Sequence, residues 1–300
     1  MEIFKEKPGP VQEEPALKEE KFSFSADDVL KTLKTPQGGT KIEYIGDAMS
    51  DFQAEPLIFD TDGKPIVFSD WEMEVAKNAE GRKSKIIIPQ KPDEFPRFGA
   101  FKEDYIKRSA ELGENMFRFS LDFARLCPQE GEFDEKLMAD YVRALALIRA
   151  NGEEPMLAIY HYPMPKYLLG FDAEGNLKTG GWEHPDVAKH FRFYVENVVD
   201  YLANEDKVSG ALGDLGFAKN AQDKFLAEGL VRYFLSINEP TSIIRNNYLA
   251  GIFPPFRAGN VSPIKKVLEE LIAAHDLARD KIKTGLKVKE GEARVGVAHN

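Results

Sequence analysis

A carboxylic acid and an amide, Glu239 and Asn238, stand side by side after a short apolar run and before Pro240. Residues 233–237 are mostly apolar or aromatic, which is typical of a strand covered on both faces. Proline has no N–H to donate and therefore ends the strand. The pattern predicts a carboxylate at the end of a buried strand, where a parallel barrel carries its chemistry. The alternative is that Glu239 is only the first polar residue after a core strand.

Polar side chains also occur at the ends of three other predicted strands, where the chain has Gln53, Arg118 and His161. Amides and imidazoles suit sugar hydroxyls, because each hydroxyl both donates and accepts hydrogen bonds. Hydrolysis of a glycosidic bond needs two carboxyl groups, one to protonate the leaving oxygen and one to attack or to activate water. We interpret Glu239 as the candidate for the first of these two groups.

Other chemistries have no matching pattern in this chain. The sequence has no H-x-x-x-H or H-E-x-x-H spacing for a metal and no G-x-S-x-G nucleophile turn. The single cysteine, Cys127, excludes an intramolecular disulfide and a cysteine-based zinc cluster, and we expect it to be a buried thiol. No cofactor and no metal are therefore predicted.

The elements that position these residues alternate along the chain. Strands are predicted to begin near Ile42, Met116, Pro155, Tyr233 and Ala293. Helical spacing occurs between them, over residues 100–112, 134–151, 184–203 and 264–282. The alternation predicts parallel βαβ units, in an open doubly wound sheet or in an incomplete (β/α)8 barrel. No G-x-G-x-x-G follows a strand, and polar strand ends favour the barrel.

Two regions flank or interrupt this alternation. Residues 1–40 are rich in Glu, Lys and Pro and are predicted to form a partly disordered leader or arm. Residues 41–300 are predicted to be the N-terminal part of the barrel. Within it, residues 56–98 and 204–229 are expected to be irregular loop insertions.

Composition narrows the class of partner. The 300 residues include 50 acidic and 40 basic ones, a net charge of −10. This balance argues against nucleic acid or an anionic membrane as the main partner, because both require a basic face. No apolar run has the length of a signal peptide or a membrane span, so we expect a cytoplasmic protein. The oligomeric state is left open.

Four ordered motifs resemble those of glycoside hydrolase family 1, the retaining β-glycosidases. They are GDAMSDFQAE at residues 46–55, FRFSLDFARLCP at 117–128, YHYPMPKYL at 160–168 and SINEP at 236–240. The resemblance implies a (β/α)8 barrel and a carbohydrate substrate with a β-glycosidic bond. It implies no cofactor and no metal.

The resemblance also implies a role for each candidate residue. Glu239 is the general acid/base, and Asn238 contacts the 2-hydroxyl of the sugar. Gln53 and His161 bind the outer hydroxyls. Arg118 holds the nucleophilic glutamate ionised. The alternatives are a buried ion-pair role for Arg118, a satisfied core histidine at position 161 and a structural glutamine at position 53.

The chain also departs from the family pattern. Phe123 and Tyr162 stand where the family usually has tryptophan, which keeps an aromatic ring but removes an indole N–H. The Glu-Asn-Gly context of the family's nucleophile, on strand seven, does not occur. We therefore expect about five of eight βα units and no turnover by these 300 residues alone. The alternative function is a non-catalytic protein of the same fold that binds a glycan or a partner.

Overall fold

The computed structural model describes residues 46–49, 58–62, 64–79, 98–174, 176–213, 216–217, 219–288 and 293–299. The predicted arm over residues 1–40 and the candidate Gln53 lie outside the described residues. The strands are β1 (Gly46–Met49), β2 (Ile58–Phe59), β3 (Pro65–Ile66), β4 (Met116–Ser120), β5 (Glu154–Ala158), β6 (Leu169–Phe171), β7 (Leu177–Gly180), β8 (Tyr233–Asn238) and β9 (Arg294–Ala298). The α-helices are α1 (Asp70–Ala79), α2 (Phe98–Glu111), α3 (Phe123–Leu126), α4 (Glu135–Ala150), α5 (Val187–Ala203), α6 (Glu205–Gly213), α7 (Lys219–Glu228), α8 (Pro240–Ile243) and α9 (Ile264–Gly285).

Five strands form one parallel sheet in the order β1-β4-β5-β8-β9. The predicted set of five parallel strands is confirmed. The order follows the chain without reversal, whereas a doubly wound sheet reverses at its switch point. Because crossovers between parallel strands are right-handed, an unreversed order places all crossover helices on one face. This is the arrangement of a barrel, here over five of its strands.

Helix α4 shows how the crossover helices close the core. Asp134 caps it, since its carboxylate accepts a hydrogen bond from the Leu137 N–H at 2.9 Å. Tyr141, Leu145 and Ile148 recur at helical spacing and are fully buried. The free thiol of Cys127 is also buried, and burial raises its pKa to about 12.

The prediction of an irregular loop over residues 56–98 is wrong in part. The strands β2 and β3 form a short antiparallel hairpin, and helix α1 follows it. Ser69 and Glu72 form a capping box at the start of α1: each side chain accepts from the other residue's N–H, at 3.1 and 3.0 Å. Two orphan amide groups of the helix are thereby satisfied, which explains why a polar stretch becomes helical.

The prediction for residues 204–229 is also wrong in part, because helices α6 and α7 occupy most of this segment. Asn204 accepts a hydrogen bond from the Lys207 N–H at 3.0 Å and so starts α6. The residues that these helices bury are Val208, Ala211, Leu212 and Phe225. With so few buried apolar residues in each helix, the periodic signal in the sequence is weak.

The pairing of β8 with β9 contains an irregularity next to the candidate site. Leu235 pairs with Gly296, and the next matched pair is Asn238 with Ala298, so β8 holds one extra residue. Such bulges bend a strand and re-aim the side chains that follow. Here the extra residue precedes Asn238 and Glu239.

In the described parts of the chain, no helix is both long and apolar enough to cross a bilayer.

Candidate active site

Four of the five predicted site residues lie together near the carboxyl ends of adjacent strands. Arg118 is in β4, His161 follows β5, and Asn238 ends β8 with Glu239 directly after it. Because β4, β5 and β8 are parallel neighbours, their carboxyl ends share one edge. We call Arg118, His161, Asn238 and Glu239 the strand-end group.

The backbone of Glu239 is fixed on both sides. Its N–H donates to the Ala298 carbonyl at 3.0 Å, and its own carbonyl accepts from the Ser242 N–H at 2.9 Å. Its φ of 44° lies in the left-handed region, which is uncommon for a residue other than glycine. Pro240 then occupies the first position of helix α8, where its missing N–H costs nothing. The strand thus ends at Asn238, two residues before Pro240, and the turn orients Glu239.

Arg118 and Asn238 are joined directly. The Arg118 guanidinium donates a hydrogen bond to Asn238 Oδ1, and the Asn238 N–H donates to the Tyr160 carbonyl at 2.9 Å. Burial lowers the pKa of Arg118, and the charge of Glu239 partly opposes this effect. Among the described residues, Glu239 is the carboxylate whose charge acts on Arg118. The guanidinium therefore lies in the field of the candidate acid.

His161 is held by a serine of the neighbouring strand. Ser120 Oγ and His161 Nδ1 are 2.7 Å apart, which leaves Nε2 as the second polar atom of the ring. Burial is the main cause that lowers the pKa of His161 to about 4, and the charge of Arg118 acts in the same direction. The imidazole is therefore neutral at pH 7, a state in which it both donates and accepts hydrogen bonds.

Tyr162 is a member of the site that the sequence did not predict in this role. Its hydroxyl donates a hydrogen bond to Glu239 Oε2 at 2.7 Å. The pKa of Tyr162 is raised, first by burial and then by the hydrogen bond to Glu239. The phenol is accordingly a donor to the carboxylate.

Aromatic side chains form one wall of the site. Trp71 of helix α1 stacks on Tyr162, with ring centres 6.2 Å apart and planes at 16°. Phe253 contacts both rings, at 4.8 Å from Trp71 and 5.3 Å from Tyr162. Phe123, the other aromatic residue at a tryptophan position, lies instead in the core, stacked on Tyr194 at 4.5 Å.

Helix α1 is tied to this wall by a buried acid. Asp70 accepts hydrogen bonds from the Met164 N–H at 2.9 Å and the Trp71 N–H at 3.0 Å, while its own N–H donates to the Met164 carbonyl at 3.2 Å. Burial raises the pKa of Asp70 to about 7. The acid thus connects the loop of Tyr162 to the helix of Trp71.

Sequence reasoning missed Trp71, Phe253 and the contact of Tyr162 with Glu239. A signal for Trp71 was present, because the Ser69-x-x-Glu72 capping box marks the start of its helix. Phe253 and the Tyr162 contact have no such signal, since they depend on how distant segments meet in the fold.

Comparison with protein families finds that the model for glycosyl hydrolase family 1 matches residues 44–212. This range includes Arg118 and His161 and ends before Asn238 and Glu239. The chain is 25% identical over 243 residues to β-glucosidase 47 of Arabidopsis thaliana, covering 78% of this chain and 37% of that protein. It is 26% identical over 162 residues to coniferin β-glucosidase of Pinus contorta, covering 54% and 25% of the two chains.

Solved structures of β-glucosidases share the fold. A rice β-glucosidase superposes with a TM-score of 0.61 at 20% identity, covering 88% of this chain and 48% of that one. A family 1 β-glucosidase from Thermotoga maritima superposes with a TM-score of 0.60 at 20% identity, covering 88% and 49%. These structures are (β/α)8 barrels, and this chain corresponds to about half of each.

Proposed function

Because this chain belongs to glycosyl hydrolase family 1, we propose that it carries the acid/base half of a retaining β-glycosidase. The observation that supports this best is the position of Glu239. Its carboxylate follows the last residue of a central strand, beside Asn238, with its backbone fixed by Ala298 and Ser242. Parallel barrels carry their reacting groups at this end of the strands.

In the proposed reaction, Glu239 first donates its proton to the leaving glycosidic oxygen. A second carboxylate attacks the sugar and forms a covalent glycosyl-enzyme. Glu239, now ionised, then takes a proton from water, and the resulting hydroxide releases the sugar. The sequence has no Glu-Asn-Gly, so we assign the nucleophile to a carboxylate that these 300 residues do not contain. The 300 residues alone are accordingly proposed to be inactive.

The other members of the strand-end group would bind the sugar or shape the field around it. His161 is neutral at pH 7 and can both donate to and accept from a sugar hydroxyl. Asn238 offers its amide group beside the acid, with Oδ1 held by Arg118. Arg118 supplies a positive charge that favours ionised carboxylates nearby. The proposed substrate class is small β-glycosides or oligosaccharides.

The test uses the full-length protein and a series of aryl β-glycosides whose leaving groups differ in basicity. We expect Glu239→Ala to lower kcat/KM by about 10²- to 10⁴-fold for poor leaving groups, because they need the proton most. The loss should be much smaller for 2,4-dinitrophenolate, which leaves without a proton. Steady-state kinetics across the series measures this difference.

The control is Glu111→Ala, which removes an exposed glutamate paired with Lys107 on helix α2. It should leave the whole series unchanged. If Glu239→Ala lowered kcat/KM equally for good and poor leaving groups, Glu239 would not be the acid.

A second candidate is a non-catalytic protein that binds a glycan. The observation that favours it is that Phe123 and Tyr162 stand where the family usually has tryptophan, which removes two indole N–H groups. Calorimetry with an intact β-glycoside separates the two functions. Binding without product, by the full-length protein and by Glu239→Ala alike, favours the binder.

A further inference from the structure

Tyr162 and Glu239 are 77 positions apart in the chain, and their side chains meet in a hydrogen bond of 2.7 Å. The donor is the phenol O–H and the acceptor is Glu239 Oε2. Burial and the nearby carboxylate both raise the pKa of Tyr162, so the phenol keeps its proton at neutral pH. The hydrogen bond therefore has one direction, from tyrosine to glutamate.

The ring of Tyr162 is held in place by its neighbours. Trp71 stacks on one side at 6.2 Å, Phe253 packs at 5.3 Å, and the His161 ring lies edge-on at 4.9 Å. Aromatic contacts of this kind fix a ring beyond what burial alone does. The hydroxyl is thus presented to Glu239 by a rigid group.

The backbone of Tyr162 is held as well. Its φ of 81° is left-handed, which is rare for an aromatic residue and persists only where the surroundings enforce it. The buried Tyr160 hydroxyl donates to the Tyr162 carbonyl at 2.6 Å, and the Trp182 indole N–H donates to that hydroxyl at 3.2 Å. Glu239 is also left-handed and fixed by its own backbone bonds. Both partners of the hydrogen bond are therefore preorganised.

We propose that Tyr162 is a positioning residue for Glu239: its hydroxyl holds Oε2, orients the carboxyl group and directs the transferable proton to Oε1. This inference rests on the proposed acid/base role of Glu239. An oxygen that accepts a phenol hydrogen bond is the poorer place for the carboxyl proton, which defines the oxygen that carries it.

The proton moves without any change in Tyr162. In the first step the Glu239 proton passes from Oε1 to the leaving oxygen, and the tyrosine keeps its own proton while it stabilises the new carboxylate. In the second step Oε1 takes a proton from the attacking water. A hydrogen bond to the ionised form strengthens the acid, because it lowers the free energy of the carboxylate more than that of the neutral carboxyl group.

The test is Tyr162→Phe in the full-length protein, labelled with glutamate enriched in ¹³C at the carboxyl carbon. Glu239→Gln identifies the Glu239 signal by its absence. We expect the midpoint of the Glu239 titration to rise by about one pH unit in Tyr162→Phe, since a hydrogen bond to a charged group is lost. The control Tyr233→Phe removes a tyrosine hydroxyl at the other end of β8 and should leave the midpoint unchanged.

A kinetic readout separates positioning from a merely structural role. For a substrate with a poor leaving group, kcat/KM decreases at alkaline pH as Glu239 loses its proton. In Tyr162→Phe this decrease should shift to higher pH by the same amount as the NMR midpoint. A lower kcat/KM without this shift would overturn the proposal, and so would an unchanged Glu239 midpoint. If Tyr162→Phe does not fold, 3-fluorotyrosine at position 162 is the second test. Its stronger O–H donor should move the midpoint down, and no movement would overturn the proposal.

The two readouts fail independently. The NMR titration requires no turnover, so a shifted Glu239 midpoint supports the positioning contact even in a protein that hydrolyses no glycoside. The absence of glycoside hydrolysis would count against the proposed function and would leave the positioning contact untouched.

Discussion

Two groups of carboxylates and arginines lie at the same end of the sheet and differ in their access to solvent. The strand-end group of Arg118, His161, Asn238 and Glu239 is only partly buried apart from Asn238. The second group, which we call the buried ionic cluster, consists of Glu72, Asp122 and Arg125. Its side chains are 3%, 2% and 8% exposed. Residue type alone does not separate the two groups.

The buried ionic cluster is satisfied by the protein itself. Arg125 Nε and Nη2 donate to Glu72 Oε1 at 3.0 and 2.8 Å. Glu72 Oε2 accepts from the Phe68 and Ser69 N–H groups at 2.7 and 3.0 Å. Burial raises the pKa of Asp122 to about 6, against the effect of Arg125. The cluster therefore anchors helix α1 to the barrel and has no access to a ligand.

The strand-end group also contains an arginine and a carboxylate, but their hydrogen-bond partners differ from those in the buried ionic cluster. Arg118 donates to the amide oxygen of Asn238, and Glu239 Oε2 accepts from the neutral phenol of Tyr162. A carboxylate with a neutral donor can change protonation state without breaking an ion pair. The comparison teaches that solvent access and the type of partner distinguish a structural charge from a reactive one.

The largest effect should come from breaking the buried cluster. We expect Arg125→Met to lower the free energy of unfolding by about 3–5 kcal/mol, because Glu72 and Asp122 are left buried without their cation. Arg118→Met, the matched change in the strand-end group, should cost at most about 2 kcal/mol, the cost of leaving Asn238 Oδ1 without its donor. Urea unfolding of both variants measures the difference. Equal losses would show that the two groups are energetically alike.

The next effect depends on pH and concerns Asp70, the buried acid that connects helix α1 to the loop of Tyr162. The pKa of Asp70 is about 7 in the folded protein, above its usual value of 3.8. As pH rises from 3.8, the unfolded chain loses this proton first, so stability falls through pH 7 by up to about 4 kcal/mol. Asp70→Asn keeps an acceptor for the Met164 N–H and carries no charge. It should exceed the wild type in stability at pH 8.5 and match it near pH 4.

Thermal unfolding of both proteins at pH 4, 6 and 8.5 checks this expectation. A wild type that remains the more stable protein at pH 8.5 would mean that Asp70 is ionised in the folded state and that the hydrogen bonds from the Met164 and Trp71 N–H groups stabilise its charge. The link between α1 and the Tyr162 loop would then be a charged one.

The sequence predicted the positions of the strand-end group on the sheet, because strand ends are marked locally. Apolar runs that stop at polar residues identify β4, β5 and β8, and the parallel alternation brings their ends together. The buried ionic cluster was not predicted. Its central pair, Glu72 and Arg125, is 53 positions apart, and charged residues are ordinarily placed at the surface.

The positions of the aromatic residues illustrate the same limit. Phe123 and Tyr162 both stand at tryptophan positions of the family, yet one is in the core and the other contacts Glu239. Local pattern cannot separate them, because the difference arises from Trp71 and Phe253 packing around Tyr162. The sequence shows the capping box that begins helix α1 at Ser69, but it does not show which segment the helix packs against.

The smallest effect tests whether the strand-end group is as open as the comparison requires. The pKa of His161 is about 4 in the folded protein, below its usual 6.5, mainly because of burial. As pH falls, the unfolded chain takes up this proton first. Stability from the neutral imidazole is therefore complete above pH 6.5 and lost toward pH 4, by up to about 3 kcal/mol. His161→Asn should lack this component, measured as the difference in unfolding free energy between pH 7 and pH 4.

An NMR titration of the imidazole signals measures the same quantity directly, with His161→Asn identifying the peak. A midpoint near 4 would mean that the surroundings of His161 resemble those of the buried ionic cluster, although its side chain is only partly buried. A midpoint above 6 would mean that water reaches the ring freely, and the neutral state at pH 7 would then depend on Arg118 rather than on burial. In that case Arg118→Met should raise the midpoint further, since it removes the positive charge that opposes protonation. If the His161 midpoint did not change in Arg118→Met, the charge of Arg118 would have no effect on the ring. Solvent access would then be the property that separates the strand-end group from the buried ionic cluster.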